Sequence, residues 1–216
     1  MATYLDESLA KLEWFEGCIP WMYLDTRGHV TVGVGLMVPD AAAAEKLPFK
    51  LANRAATSIE IATEFARVSA MPMGRPALFY HQPEGLTLEK QDIDSLLRTV
   101  LEGFEGELRS KLSGYDAFPA PVKLALLDMA YNLGPVGLLH GYPTLIAAVE
   151  AGNWAKAAAN CFRHGPGAVR NQWTQDMYLQ NVVGSLKAEA EGGLKRFGYG
   201  VLGMGAAAVD WLRRKQ

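Results

Sequence analysis

The chain has 216 residues, half of them apolar and a fifth charged, enough for one domain with a substantial core or for two small lobes. Its formal net charge of −2 and isoelectric point near 6.1 exclude the basic footprint of a nucleic-acid binder. The same balance gives little long-range attraction to an anionic polymer, so shape must supply any affinity for one.

The first residues, MATYLDESLAKLEWFEG, carry acidic side chains early and no apolar stretch, so no secretory leader is expected. Leu5, Leu9 and Leu12 recur at helical spacing and predict an amphipathic helix over 5–16 that Gly17 ends. Glu16 then projects from a rigid last turn. Two short strands follow, WMYL (21–24) and HVTVGV (29–34), joined by a tight turn with Asp25 first and Gly28 fourth. Strand alternation sends Val30, Val32 and Val34 to a core and His29, Thr31 and Gly33 to the other face. Thr31 is expected on an open face, with Gly33 leaving room for a polymer lying over the sheet.

Asp25 follows Glu16 by nine residues, and Thr31 follows Asp25 by six. Two carboxyls and a hydroxyl on a helix end and a hairpin suit acid-assisted attack of water on a glycosidic bond. One carboxyl must be protonated to serve the leaving oxygen, a state that partial burial favours, and the other ionised to hold the water. In residue types and spacing the segment resembles the catalytic segment of bacteriophage-type lysozymes, the muramidase endolysins. Glu16, Gly17, Tyr23, Asp25, Gly28, Thr31, Gly33 and Gly35 carry the resemblance. It implies Glu16 as general acid, Asp25 as support for the attacking water and Thr31 as its positioner. The family commonly has His directly after the last of these glycines. This chain has Leu36 there, which removes a structural ion pair from the expectation but leaves the chemistry.

Residues 37–86 read as an expanded part of the small lobe. Their AEKLPF stretch resembles an insertion in lysozyme-like domains of bacterial secreted toxins, type VI effectors among them. A helix is expected over 54–69, with Ile59, Ala62, Ala66 and Ser69 in line with Phe65, and a loop over 71–85. Thr87 is a candidate cap for a long amphipathic helix over 88–112, carried by Ile93, Leu96, Leu97, Val100, Leu101, Phe104 and Leu108. VKLALLDMAYNLG (122–134) is apolar almost all round and reads as a buried central helix that Gly134 and Pro135 stop. Asn132 near its end matches a family position whose amide contacts substrate. Two Ala-rich helices are expected over 143–151 and 153–162. In the Gly-rich stretch 162–173, Arg163, His164 and Arg170 are candidates to touch sugar or stem peptide, with Arg170 the residue chosen. Residues 191–216 read as a Gly-rich extension with a short final helix.

The resemblance thus implies an α+β, mostly helical, two-lobed lysozyme-like fold. The catalytic domain spans 1–190: small lobe 17–86, linking helix 88–112, helical lobe 113–190. The implied reaction is hydrolysis of the β-1,4 bond between N-acetylmuramic acid and N-acetylglucosamine in peptidoglycan glycan strands; a gap for water between the two carboxyls, with Thr31 as its second partner, predicts inversion. Catalytic residues are Glu16, Asp25 and Thr31, and substrate-binding residues Asn132 and Arg170. No cofactor or metal is expected, since carboxylates do the charge work and His29, His81, His140 and His164 form no zinc-like cluster. Cys18 and Cys161 are expected as buried free thiols. The chain is expected to be a monomer without a membrane span, made in the cytoplasm. It would reach the wall or periplasm by holin-type or secretion-type release, with an immunity or inhibitor protein as partner if it is a toxin domain. Two competing readings are a lytic transglycosylase, which manages with one catalytic Glu, and a catalytically silent wall-binding module.

Overall fold

The structure, a computed structural model, describes residues 3–192, with only the backbone over 183–192. The extension and final helix expected over 191–216 lie outside the described residues from 193 onward. The architecture is mixed α+β, mostly helical with small antiparallel sheets. The described residues fall into two compact units, one of residues 9–100 and one of 3–8 with 101–192.

The first unit begins within α1 (Tyr4–Glu16) and continues into a three-stranded sheet of β1 (Ile19–Leu24), β2 (Val30–Gly33) and β3 (Leu36–Met37). Tyr23 pairs with Thr31 and Leu24 with Val30, and a bulge lies between Ile19 and Tyr23. Met22, Leu24, Val30 and Val32 are buried, as the valine pattern predicts. The other face of β2 is not open. Thr31 is 3% exposed, and a Cβ on Gly33 would stand 3.2 Å from Cγ2 of Ile93. The missing side chain at Gly33 therefore admits a helix rather than a polymer: β2 is the central strand and is buried throughout.

The 37–86 segment packs against β1 of the first sheet, where Trp21 donates to the Ala77 carbonyl. After α2 (Ala41–Ala44), β4 (Lys50–Leu51) pairs with β5 (Arg54–Ala55) and with β6 (Leu86–Thr87) in a second sheet. The predicted helix starts later than its composition suggested. α3 (Ser58–Ser69) is opened by a capping box in which Thr57 and Glu60 satisfy each other's backbone N–H groups. Its buried stripe is Ile61, Glu64 and Val68, while Ile59 is 79% exposed. Glu64 is tolerated inside because Arg67 pairs with it at 2.7 Å. Within the expected loop, a 3-10 turn (Ala77–Tyr80) is fastened by Arg67, which donates to the Tyr80 carbonyl. Thr87 is a strand residue opposite Lys50, not a cap. α4 (Lys90–Lys111) starts beyond it and buries Ile93, Leu97, Leu101 and Leu108.

In the second unit α5 (Ala120–Leu133) is the buried helix that its sequence predicts, with Val122, Leu126, Leu127 and Met129 all inaccessible. Pro135 stops it and at once opens α6 (Pro135–Gly141), a short helix the sequence reading missed. α7 (Pro143–Glu150), α8 (Trp154–Ala159) and α9 (Ala168–Gly192) complete the unit. Tyr4, at the start of α1, donates its hydroxyl to buried Glu105. Among the described residues no single helix is long and apolar enough to cross a membrane.

Candidate active site

Glu16 is the last residue of α1, and the N–H of Gly17 donates back to Glu13 to close the helix end. The side chain is exposed, so the partial burial expected of a protonated acid is not met by this unit.

The hairpin tip is built around Asp25. Its N–H donates to the His29 carbonyl at 2.9 Å, and its carbonyl accepts from Gly28 at 3.1 Å, which closes the turn. Gly28 has φ of 83°, a value that suits glycine and gives the three-residue loop its return twist. Oδ1 of Asp25 accepts from the backbone N–H groups of Arg27 and His29, both at 2.8 Å. Oδ2 lies 3.4 Å from Nδ1 of His29. Burial pulls the Asp25 carboxyl up, but the His29 and Arg27 amides and the His29 side chain outweigh it, so it sits below the usual carboxylate range. This aspartate is held ionised by its own turn.

Cross-strand pairing and alternation put Tyr23, Asp25, His29 and Thr31 on one face of the hairpin. The Thr31 hydroxyl donates to the His29 carbonyl at 3.1 Å. Tyr23 is half-buried. Burial, then the negative charges of Glu16 and Asp25, push its phenol up, so the tyrosine lies within electrostatic reach of both carboxylates. Sequence reasoning had counted Tyr23 only as part of a motif. The two-residue step from Tyr23 to Asp25 was the signal that both share a face.

Asn132 is exposed near the end of α5. Arg170 is not a surface residue: it is 7% exposed, and its Nε donates to Oδ1 of Asp128 at 2.7 Å. Arg163 is fully buried and donates to Oδ2 of Asp128 at 2.6 Å and to Thr174 at 2.7 Å. Asn171 clasps the backbone N–H and carbonyl of Arg163, both at 3.0 Å. A carboxylate on the buried helix requires cationic partners, and these two arginines meet that demand instead of a ligand's. Only His164 of the three candidates is exposed. The sequence signal overlooked was a single carboxylate in a helix that is apolar almost all round.

Cys161 is buried and Cys18 half-buried, both as free thiols. Among the described residues no three His, Cys, Asp or Glu side chains gather as a metal site. No protein-family model matches the chain, and no curated protein matches it.

Proposed function

We propose that the chain is a muramidase of the bacteriophage-type lysozyme kind, acting on peptidoglycan glycan strands. The observation that carries this reading is the Asp25 turn: a carboxylate held ionised by two amides, on one sheet face with Thr31, nine residues after a carboxyl that ends a helix. Glu16 donates its proton to the glycosidic oxygen. Asp25 accepts hydrogen from a water that attacks the anomeric carbon of N-acetylmuramic acid, and Thr31 completes the placement of that water. A glycan strand lying over the exposed Glu16 excludes water from it. Asn132 is a substrate amide in this reading, and the finer architecture is a two-lobed lysozyme-like fold. Delivery across the inner membrane by a holin-type or secretion-type route, and an immunity or inhibitor protein, belong to the same proposal.

Turbidity loss of purified peptidoglycan tests the reading. Glu16→Gln should lower the rate by about 10²–10⁴-fold with an unchanged circular dichroism spectrum, because an amide cannot protonate the leaving oxygen. Near-wild-type turnover in that variant sinks the assignment. Attack by water inverts the β-bond, so rapid NMR should show the α-anomer of the new reducing end first. A β-anomer first would make Asp25 a nucleophile, and an anhydro end would make the enzyme a transglycosylase. Binding to the wall without turbidity loss would leave a silent module.

A further inference from the structure

The hairpin face holds a phenol that the proposed chemistry does not use. Tyr23 stands directly opposite Thr31 across the β1–β2 ladder and two residues before Asp25, so its ring shares their face. Across such a pair, Cβ atoms lie about 4.5–5.5 Å apart, within reach of a phenol ring. The nearby acceptors are already committed elsewhere: Oδ1 of Asp25 to its own turn amides, and the His29 carbonyl to the Asp25 N–H and the Thr31 hydroxyl. The Tyr23 hydroxyl has no hydrogen-bond partner among the described residues, and it is not among the polar atoms sealed from solvent. A half-buried ring with an accessible hydroxyl is the amphipathic surface that tyrosines offer to ligands.

From this juxtaposition we infer that Tyr23 is a substrate-contacting residue, whose phenol O–H donates to an oxygen of the N-acetylated sugar bound beside Asp25 at the hairpin tip. The inference rests on the muramidase reading and names one of its contacts. Burial and the two carboxylates keep the phenol protonated wherever those carboxylates work, so the group is a donor throughout. An ionised Asp25 offers sugar hydroxyls only acceptors and leaves the sugar oxygens beside it without a donor. Tyr23 fills that gap.

Tyr23→Phe keeps the ring and removes only the hydroxyl. In the full chain acting on solubilised peptidoglycan, KM should rise about three- to tenfold, the loss expected of one neutral hydrogen bond. The change should fall on KM rather than kcat, with both limbs of the pH profile and the melting temperature in place. Cosedimentation with insoluble peptidoglycan reads the same contact without turnover: Glu16→Gln/Tyr23→Phe should bind more weakly than Glu16→Gln by a similar factor. An unchanged KM for Tyr23→Phe beside an inactive Glu16→Gln overturns the contact and leaves the muramidase reading standing. A displaced alkaline limb at constant KM assigns the hydroxyl to Glu16 instead and also overturns it. A fully active Glu16→Gln removes the muramidase reading and this contact with it.

Discussion

Asp25 and Asp128 are both gripped by hydrogen bonds of 2.6–2.8 Å, yet the grips come from different distances along the chain. The partners of Asp25 lie two and four residues away and are mostly backbone amides. Those of Asp128 lie 35 to 46 residues away and are two guanidiniums and a hydroxyl. The Asp25 side chain keeps 32% of its exposure, whereas that of Asp128 keeps 2%. Local amides fix a carboxylate while leaving it reachable. Distant arginines fix one by spending both its oxygens on the fold. Similar bond lengths thus mark a candidate catalytic group in one unit and an anchor in the other.

The largest effect should come from breaking the anchor. Asp128→Asn leaves two buried guanidiniums facing an amide, and such a loss costs about 3–5 kcal/mol. Denaturant unfolding followed by circular dichroism reads it directly. A cost below about 1 kcal/mol would mean that Arg163 and Arg170 find other acceptors, and the contrast with Asp25 would collapse. Next in size is the reverse pattern at the hairpin. Asp25→Asn retains an oxygen for the Arg27 and His29 amides, so stability should change by less than about 1 kcal/mol, while peptidoglycan hydrolysis falls by about 10²-fold or more. Equal losses of stability and activity would make Asp25 another anchor.

The same contrast explains what could be read in advance. The hairpin was legible because its determinants are contiguous: a turn aspartate, Gly28 and alternating valines dictate register without help from elsewhere. The buried α5 was legible from composition. What escaped depended on tertiary partners. Thr31 and Gly33 alternate correctly but are covered, and at Gly33 the cover is Ile93 of α4, sixty residues on. Arg170 looked like a surface cation because nothing near it in sequence announces Asp128. Spacing put Ile59 in line with Phe65, but α3 turns Ile61, Glu64 and Val68 inward and leaves Ile59 exposed. Periodicity gives a stripe, and only packing decides which stripe faces in.

A smaller effect separates structure from chemistry at Thr31. The hydroxyl donates to the His29 carbonyl, but that carbonyl also accepts from the Asp25 N–H at 2.9 Å. Thr31→Val keeps the shape and strands no acceptor, so the melting temperature should move little. Activity should drop up to about tenfold if the hydroxyl turns to the attacking water. Thr31→Ser should recover most of it. If Val and Ser variants were equally active, Thr31 would serve only to cover the sheet.

The smallest effect is the pH dependence, and it asks whether the Asp25 grip is felt by the whole fold. The folded-state value of this carboxyl lies below its unfolded one. Its contribution to stability is therefore complete above the ordinary aspartate value of about 3.9 and is lost as pH falls through the lower, folded value. The gap in stability between wild type and Asp25→Asn should accordingly be constant through the neutral range and close only in that acid window. Solvent screens a side chain this exposed, so the gap is small, and melting curves of the two proteins at matched pH are the appropriate comparison. The acid limb of the activity profile should fall in the same window, because one ionisation governs both. An acid limb at or above the ordinary aspartate value, with the stability gap closing lower down, would assign the kinetic ionisation to a different group and free Asp25 from the catalytic role.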